Sequence, residues 1–202
     1  MAGIILAGGR SRRMGFDKLR AEIGGVAMLE LVYGVLRGFC QEVVIVGEGG
    51  AEIPGAARIR DSRPGHEGPL AGLEAGLAAT TRKLVFVCAG DLPFANEELA
   101  LLLLSRLGGD VRAAVPVHPP GSPHPLFAAY ERGVEREVRE ALDARSRSMR
   151  AMLSRISGRG QVEYVGEGLE SFGEPETCLV NVNSPEDLDA ARAIHDARND
   201  ST

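Results

Sequence analysis

The stretch GIILAGGRSRRMGFDK, residues 3–18, decides how the whole chain is interpreted. It opens with a short apolar run over 3–7, rich in residues that favour buried strands. Glycines follow at once, together with the four cations Arg10, Arg12, Arg13 and Lys18. Glycines let a backbone approach an anion closely, and cations neutralise phosphate oxygens. The stretch therefore predicts a strand that leads into a polyphosphate-binding loop.

Two common nucleotide motifs do not fit this loop. No G-x-G-x-x-G can be placed on it, and Gly15 is followed by Phe16, where a Walker loop requires lysine. A plain glycine turn beside a solvated basic patch would explain either part taken alone. The combination favours phosphate binding, because ligands of open α/β sheets lie beyond the carboxyl ends of the strands.

Further apolar runs of strand length alternate with helical patterns along the chain. This alternation predicts an α/β fold in three layers, with a mostly parallel sheet and helices on both faces. The strands are predicted at 3–7, 42–47, 84–89 and 111–117, and the helices between them at about 26–38, 69–81 and 95–106.

The turn-rich segment HPPGSP at 118–123 marks the start of a second half. Later strands are predicted at 126–130, 162–165 and 179–182, with a pair of helices within 131–156. Ser184 and Pro185 supply the N-cap and first residue of a last helix that ends near Arg198. A length of 202 residues suits one domain, 1–202, made of the halves 1–117 and 118–202.

Composition narrows the functional classes. The formal net charge of −5 gives no global attraction to nucleic acid or to an anionic membrane, and no apolar run is long enough to cross a bilayer. Cysteines are few, with widely separated positions at Cys40, Cys88 and Cys178, so neither a disulfide framework nor a CxxC metal site is indicated. We expect a cytoplasmic protein that binds neither nucleic acid nor membrane.

A second functional segment is LVFVCAGD at 84–91, an apolar run that ends in the carboxylate Asp91. If this strand runs parallel to the first one, Asp91 and the basic loop lie at the same edge of the sheet. Asp91 could simply cap the following turn. Beside a bound triphosphate, however, a carboxylate is best explained by a bridging Mg²⁺, which proteins hold through one or two carboxylates.

These residues are recognisable together. LAGGRSRRMG at 6–15 with Lys18 resembles the signature of the nucleotidyltransferases, and the chain resembles the molybdenum cofactor guanylyltransferase (MobA-type) family in particular. Supporting segments appear in the family's order: RDSRPGHEGPLAGL at 60–73, CAGDLPF at 88–94, HPLFAAY at 124–130 and NVNSPEDL at 181–188. The resemblance spans nearly the whole chain and implies the Rossmann-like nucleotidyltransferase fold.

The resemblance also implies an activity, transfer of GMP from GTP to the phosphate of molybdopterin with release of pyrophosphate. Its implied catalytic residues are Arg13, Lys18 and Asp91, with Asp91 holding Mg²⁺ as the cofactor. The nucleotide would be bound by Leu6, Ala7, Gly8, Gly9, Lys18, Asp61 and Asp91. Asn181 and Asn183 would face the molybdopterin acceptor, which makes 1–117 the nucleotide half and 118–202 the acceptor half. Transient contact with cofactor-biosynthesis proteins or molybdoenzymes is a further expectation.

The chain departs from the family pattern at two places. The family often has an asparagine after the second strand, where this sequence has Gly47 followed by Glu48 and two glycines. The family's metal motif commonly reads C-D-x-P, whereas here Ala89 and Gly90 precede Asp91. The first departure bears on the contacts to the base, and the second leaves the acidic residue in place.

Two other functions compete with this one. A molybdopterin cytidylyltransferase or another NTP transferase of the same fold would share most of these motifs. A nucleotide-binding adaptor without turnover is the alternative of a different class, although simple GTP binding does not require both Lys18 and Asp91. No Ser–His pair is expected in the transferase, because a phosphate oxygen is already ionised at neutral pH and needs no activating base.

Overall fold

A computed structural model describes residues 1–8, 15–60, 63, 68–172 and 174–200. Its strands are β1 Ala2–Leu6, β2 Glu22–Ile23, β3 Val26–Ala27, β4 Glu42–Val46, β5 Ala57–Ile59, β6 Leu84–Ala89, β7 Ala113–Pro116, β8 Phe127–Glu131 and β9 Val162–Val165. The α-helices are α1 Met28–Phe39, α2 Pro69–Ala78, α3 Glu97–Ser105, α4 Glu135–Asp143, α5 Met149–Ser157, α6 Pro175–Cys178 and α7 Pro185–Asn199. Short 3₁₀ helices span Lys18–Arg20, Arg132–Val134 and Leu169–Phe172.

Seven of the strands form one sheet in the order β5-β4-β1-β6-β8-β7-β9, and β2 and β3 form a separate hairpin. β1 is parallel to both of its neighbours, β4 and β6. β8 is antiparallel to β6 and to β7, while β7 and β9 are parallel. The mostly parallel sheet predicted from the sequence is confirmed, with β8 as its one reversed strand.

Helices cover both faces of the sheet. Ile4 and Leu6 of β1 point to one face and join a buried cluster with Leu70 of α2 and residues of α4 and α5. Ile5 points to the other face and packs with Leu36 of α1 and residues of α3. Alternate residues of this inner strand are thus buried on opposite sides, which is the pattern of a three-layer α/β fold.

α2 lies unusually close to the sheet because its sequence is rich in small residues. A Cβ added at Gly76 would come within 2.6 Å of Ile4 Cγ2, so a larger residue would push the helix away. The helix begins at Pro69, as the sequence predicts, since proline suits the first helical turn. Gly76 thus allows α2 to lie close against β1.

Several sequence predictions need correction. The segment 179–182 forms no strand in the described structure; α6 ends at Cys178, and the chain then runs irregularly to α7. Leu179 and Val182 are buried for another reason, since they belong to two different packing clusters, and Val180 is exposed. The hairpin β2–β3 and the short edge strand β5 were not predicted.

The C-terminal helix packs outside the main sheet. Leu188 and Ala191 of α7 form a small cluster with Ile23 of the hairpin. The predicted start of α7 is confirmed, because Ser184 accepts a hydrogen bond from the Asp187 backbone in a complete capping box. Within the described residues, no helix combines the length and hydropathy that a membrane span requires.

Candidate active site

The register of the sheet brings three loops to one edge. Leu6 of β1 is level with Val46 of β4 and with Ala89 of β6. The residues that follow these strands therefore lie side by side: Ala7 and Gly8 after β1, the loop 47–51 after β4, and Gly90 with Asp91 after β6. The predicted meeting of the first strand's loop with Asp91 depends on parallel pairing of β1 and β6, and that pairing is observed.

Lys18 and Asp91 form the central contact at this edge. Lys18 Nζ lies 2.5 Å from Asp91 Oδ2, and both side chains are largely buried, with 18% and 16% of their surfaces exposed. Lys18 begins the 3₁₀ helix Lys18–Arg20, whose N-cap is Asp17. Partial burial strengthens such a pair relative to an exposed one, because less solvent screens the charges.

Lys18 also contacts the segment before α7. Its Nζ donates to the Val182 carbonyl at 2.9 Å and to Asn183 Oδ1 at 2.8 Å. Together with Asp91 these acceptors match the three N–H donors of an ammonium group. Lys18 thus joins the β1 side of the molecule to a segment 164 residues further along the chain.

Asn181 completes the same network from the other side of Asp91. Its Nδ2 donates to Asp91 Oδ1 at 2.7 Å, and the Val182 N–H donates to the Asp91 carbonyl at 3.0 Å. Asp187 of α7 accepts from the Asn183 N–H at 2.8 Å, which ties the segment to the helix cap. Four residues singled out from the sequence, Lys18, Asp91, Asn181 and Asn183, are therefore brought together.

The residues at the end of β1 are mostly buried beneath this edge of the sheet. Leu6 and Ala7 are 8% and 1% exposed, whereas Gly8 is exposed. The Ala7 N–H donates to the Val46 carbonyl at 2.8 Å, and the Ala7 carbonyl accepts from Gly49 at 2.9 Å. Gly8 is thus the first residue of the segment with an open surface.

Three predicted site residues, Gly9, Arg13 and Asp61, lie outside the described residues. The same holds for Arg10 and Arg12 of the basic loop and for 64–67 of the segment 60–73. Their predicted roles stay predictions.

Sequence reasoning missed two residues that shape the loop 47–51. Arg58 of β5 donates to the carbonyls of Gly47 and Gly49 and, through its second terminal nitrogen, to the carbonyl of Ala51. Asp17 accepts from the Gly50 N–H at 2.7 Å. The only signal in the sequence was the run of glycines, which indicates close backbone packing without naming its partner.

Arg63 is the described residue within 61–67, and its side chain contacts two helices. Its guanidinium bonds both carboxylate oxygens of Glu74 in α2, at 2.8 and 2.9 Å, and Asp143 of α4 at 3.2 Å. The hydrogen bonds that Arg63 donates to Glu74 outweigh desolvation and raise the pKa of Arg63. A permanently charged arginine therefore links Glu74 of α2 to Asp143 of α4.

A cleft of about 450 Å³ opens beside the Lys18–Asp91 pair. It is lined by Pro69, Leu92, residues 123–127, residues 147–150 and Asn181. Tyr130, which is buried, donates to the Pro125 carbonyl at 2.8 Å and holds one wall. The lining of the cleft offers an amide, two arginines and apolar surface, which suits a ligand with both anionic and ring-shaped parts.

The donor set at Asp91 fits a magnesium ion shared with a substrate. Among the described residues, no three His, Cys, Asp or Glu side chains group closely enough to hold an ion by themselves. One carboxylate is nevertheless sufficient where substrate phosphates and water complete the coordination, and each oxygen of Asp91 retains a second lone pair. The described part of the site fits a substrate-bridged ion and offers no metal cage made of protein ligands.

Cysteine chemistry is not part of this site. Cys88 is fully buried in β6, and burial raises the pKa of its thiol well above the usual value. A thiol held neutral in this way is a poor nucleophile. Cys88 therefore serves as a small buried apolar residue of β6.

Comparison with known proteins adds a family to this geometry. A family model described as "MobA-like NTP transferase domain" matches residues 3–158. A protein of Pelotomaculum thermopropionicum named "Probable molybdenum cofactor guanylyltransferase" is 38% identical over 199 residues, which cover 95% of this chain and 92% of the relative. A protein of Mycobacterium avium with the same name is 34% identical over 98% of this chain and 96% of its own length.

Solved structures of related proteins have the same fold. The crystal structure of molybdopterin-guanine dinucleotide biosynthesis protein A from Archaeoglobus fulgidus is 28% identical, with a TM-score of 0.79, and the match covers 98% of this chain and 100% of that one. A 2-C-methyl-D-erythritol 4-phosphate cytidylyltransferase from Thermus thermophilus matches with a TM-score of 0.68 at 20% identity, over 96% and 98% of the two chains. The second likeness concerns the fold alone.

Proposed function

The chain belongs to the molybdenum cofactor guanylyltransferases among the MobA-like NTP transferases, and we propose on that premise that it transfers GMP from GTP to the phosphate of molybdopterin. Pyrophosphate is the second product. The single observation that supports this function best is the network of Lys18, Asp91, Asn181 and Asn183. It joins the predicted nucleotide loop to the predicted acceptor segment at one edge of the sheet.

The proposed reaction needs little covalent help from the protein. An oxygen of the acceptor phosphate attacks the α-phosphorus of GTP, a new P–O bond forms, and the bond to the bridging oxygen of the leaving pyrophosphate breaks. The attacking oxygen is already anionic at neutral pH. Catalysis then depends on holding the groups in line and on neutralising charge at the α-phosphate and the leaving group.

Nucleotide binding is assigned to the carboxyl edge of β1. Gly8 and Gly9 would lie against the nucleotide, with Leu6 and Ala7 supporting them from the sheet. Arg13 and Lys18 would neutralise the triphosphate, and Asp61 would contact the nucleoside. Lys18 suits this role because its ammonium group is held at the site edge by three acceptors and can exchange one of them for a phosphate oxygen.

A divalent cation, Mg²⁺ in this proposal, would be held by Asp91 together with substrate phosphates. When bound, such an ion supplies charge neutralisation at the reacting phosphate. Asp91 is prepared for that role by Asn181, which orients its Oδ1, and by the backbone contact to Val182.

The acceptor is assigned to the cleft beside Asn181. Asn181 both lines this cleft and bonds Asp91, so an acceptor in the cleft would lie next to the nucleotide edge. Arg147 and Arg150 line this cleft, and their guanidinium groups would neutralise the acceptor phosphate. This assignment makes 118–202 the acceptor half of the single domain and 1–117 the nucleotide half.

The test is pyrophosphate release by the purified protein with Mg²⁺ and molybdopterin, using GTP, CTP, ATP and UTP in turn. We expect release with GTP that depends on molybdopterin. Release with CTP in preference to GTP would instead make the chain a cytidylyltransferase of the same fold. Nucleotide binding without pyrophosphate release from any of the four would support the adaptor function.

A further inference from the structure

The loop 47–51 contacts both ends of the predicted phosphate loop. On one side the Gly49 N–H donates to the Ala7 carbonyl at 2.9 Å. On the other side the Gly50 N–H donates to Asp17 Oδ2 at 2.7 Å. Ala7 lies just before Gly8, and Asp17 lies just before Lys18. The loop 47–51 therefore connects the chain just before the phosphate loop, at Ala7, with the chain just after it, at Asp17.

Packing at this bridge leaves no room for side chains. A Cβ added at Gly47 would come within 2.7 Å of the Ala7 carbonyl carbon and the Gly8 nitrogen. A Cβ added at Gly49 would come within 2.6 Å of the Ala7 oxygen. The glycines that replace the family's usual asparagine thus allow backbone to lie directly on backbone.

Arg58 is the residue that holds the bridge in place. Its Nη1 donates to the carbonyls of Gly47 at 3.0 Å and Gly49 at 2.8 Å, and its Nη2 donates to the carbonyl of Ala51 at 2.8 Å. Glycine-rich segments lose much conformational freedom on ordering. Three charge-assisted hydrogen bonds from one planar group offset that loss and fix the path of the loop.

We infer that Arg58 is a positioning residue for nucleotide binding, acting through the loop 47–51 on the spacing between Gly8 and Lys18. This inference rests on the proposed function, since it names a determinant of the same nucleotide site. Arg58 acts through the loop and not by touching the nucleotide. Its loss removes none of the groups that bind the nucleotide, but it lets the two ends of the phosphate loop move apart.

The first test is steady-state kinetics of Arg58→Leu. We expect KM for GTP to rise by roughly tenfold, the scale of one charge-assisted hydrogen bond, with kcat at saturating GTP and KM for molybdopterin changed much less. Arg58→Lys keeps the charge but has no planar fork, so an intermediate KM is expected. An unchanged KM for GTP in Arg58→Leu would overturn the inference.

Arg132 provides the matched control. It donates through Nε to the Leu77 carbonyl at 3.3 Å, and its backbone N–H bonds the Lys83 carbonyl, which places it at the opposite edge of the sheet. Arg132→Leu therefore removes an arginine-to-carbonyl bond away from the site. We expect it to lower the melting temperature without raising KM for GTP; a rise equal to that of Arg58→Leu would make the effect one of general stability.

Hydrogen exchange measures the same proposal without turnover. In Arg58→Leu the amides of peptides covering 47–51 and 15–20 should exchange faster than in the parent protein, while those of α3 should not. If Arg58→Leu does not fold, Arg58→Lys carries both measurements, and parent-like exchange with parent-like KM in that variant would count against the inference. Absence of GMP transfer in the parent protein would contradict the proposed function itself, whereas an active parent with an indifferent Arg58→Leu contradicts only the role of Arg58.

Discussion

Lys18 Nζ lies 2.5 Å from Asp91 Oδ2, although the two residues are 73 positions apart in the chain. Parallel pairing of β1 with β6 makes this contact, since it brings the chain segments after both strands to one edge. Asn181 bonds the other oxygen of Asp91, and Asn183 bonds Lys18. A change at either charged residue therefore reaches both the nucleotide side and the acceptor side of the proposed site.

Removing the Asp91 carboxylate should abolish most of the GMP-transfer activity. Asp91→Ala is expected to lower kcat by at least on the order of 10²-fold at saturating Mg²⁺, the scale for loss of one preorganised electrostatic element. Pyrophosphate release provides the measurement. Asp110→Ala is the control, because Asp110 is exposed and precedes β7 at the opposite edge of the sheet. Turnover of Asp91→Ala close to that of Asp110→Ala would rule out the proposed metal ligand.

Activity should depend on Lys18 as strongly as on Asp91, and arginine should not substitute for this lysine. Lys18→Met removes the cation that bonds Asp91, Val182 and Asn183, and we expect kcat/KM for GTP to fall by about 10²-fold. Lys18→Arg should not restore it, because a planar guanidinium cannot direct its donors as a compact ammonium does. Lys83→Met, an exposed lysine before β6, is the control. Parent-like kinetics in Lys18→Met would remove Lys18 from the proposed mechanism.

The sequence marks some parts of this fold far more clearly than others. The strand predicted at 84–89 is observed as Leu84–Ala89, because a strand buried on both faces must be continuously apolar. β5 was missed because it has three residues with Arg58 in the middle, and its pairing comes from the neighbouring strand. At 179–182 an apolar run was mistaken for a strand, since burial between clusters produces the same composition.

In the candidate site, too, the sequence predicts some residues and not others. Lys18 and Asp91 could be predicted because each follows a strongly marked strand and carries the charge that the chemistry needs. The contribution of the Val182 carbonyl could not, because a backbone acceptor leaves no trace in the sequence. Arg58 and Asp17 act through backbone groups of the loop 47–51, so only the folded path of that loop identifies their partners.

Nucleotide preference can be measured by thermal unfolding. A ligand that binds only the folded protein raises its stability by mass action, by about 2.7 kcal/mol at a concentration one hundred times Kd. With Mg²⁺ present and equal nucleotide concentrations, we expect GTP to raise the melting temperature more than CTP, ATP or UTP. A larger shift with CTP would overturn the assignment of guanine.

The buried carboxylate of Glu137 should make stability depend on pH. Glu137 in α4 is 1% exposed; burial alone would raise its pKa, but hydrogen bonds from Arg112, at 2.9 and 3.2 Å, lower the pKa below 4.5. The ionised Glu137 carboxylate therefore stabilises the folded protein fully above pH 4.5. This stabilisation is lost as the pH falls through the lower pKa that Glu137 has in the folded state.

Glu137→Gln tests this assignment by urea unfolding. The variant leaves Arg112 without its charged partner and should lose roughly 3 kcal/mol of unfolding free energy at pH 7, and the difference from the parent should narrow well below pH 4.5. Glu140→Gln, which affects pairs at the surface, should cost less than about 1 kcal/mol. Equal losses at pH 7 and pH 3 would contradict the role of the Glu137 charge.

Two glycines separate backbone strain from close packing at the site. Gly47 has φ +111° and Gly25 has φ +78°, so alanine is strained at both positions. At Gly25 nothing lies within 4 Å of an added Cβ, whereas at Gly47 the Ala7 carbonyl carbon lies at 2.7 Å. We expect Gly25→Ala to lower the unfolding free energy by about 1–2 kcal/mol with no change in KM for GTP. Gly47→Ala should lose about 1–3 kcal/mol more and raise KM for GTP, because the loop 47–51 must move away from Ala7 and Gly8. Equal kinetics in the two variants would mean that contact between the loop and β1 does not shape the nucleotide site.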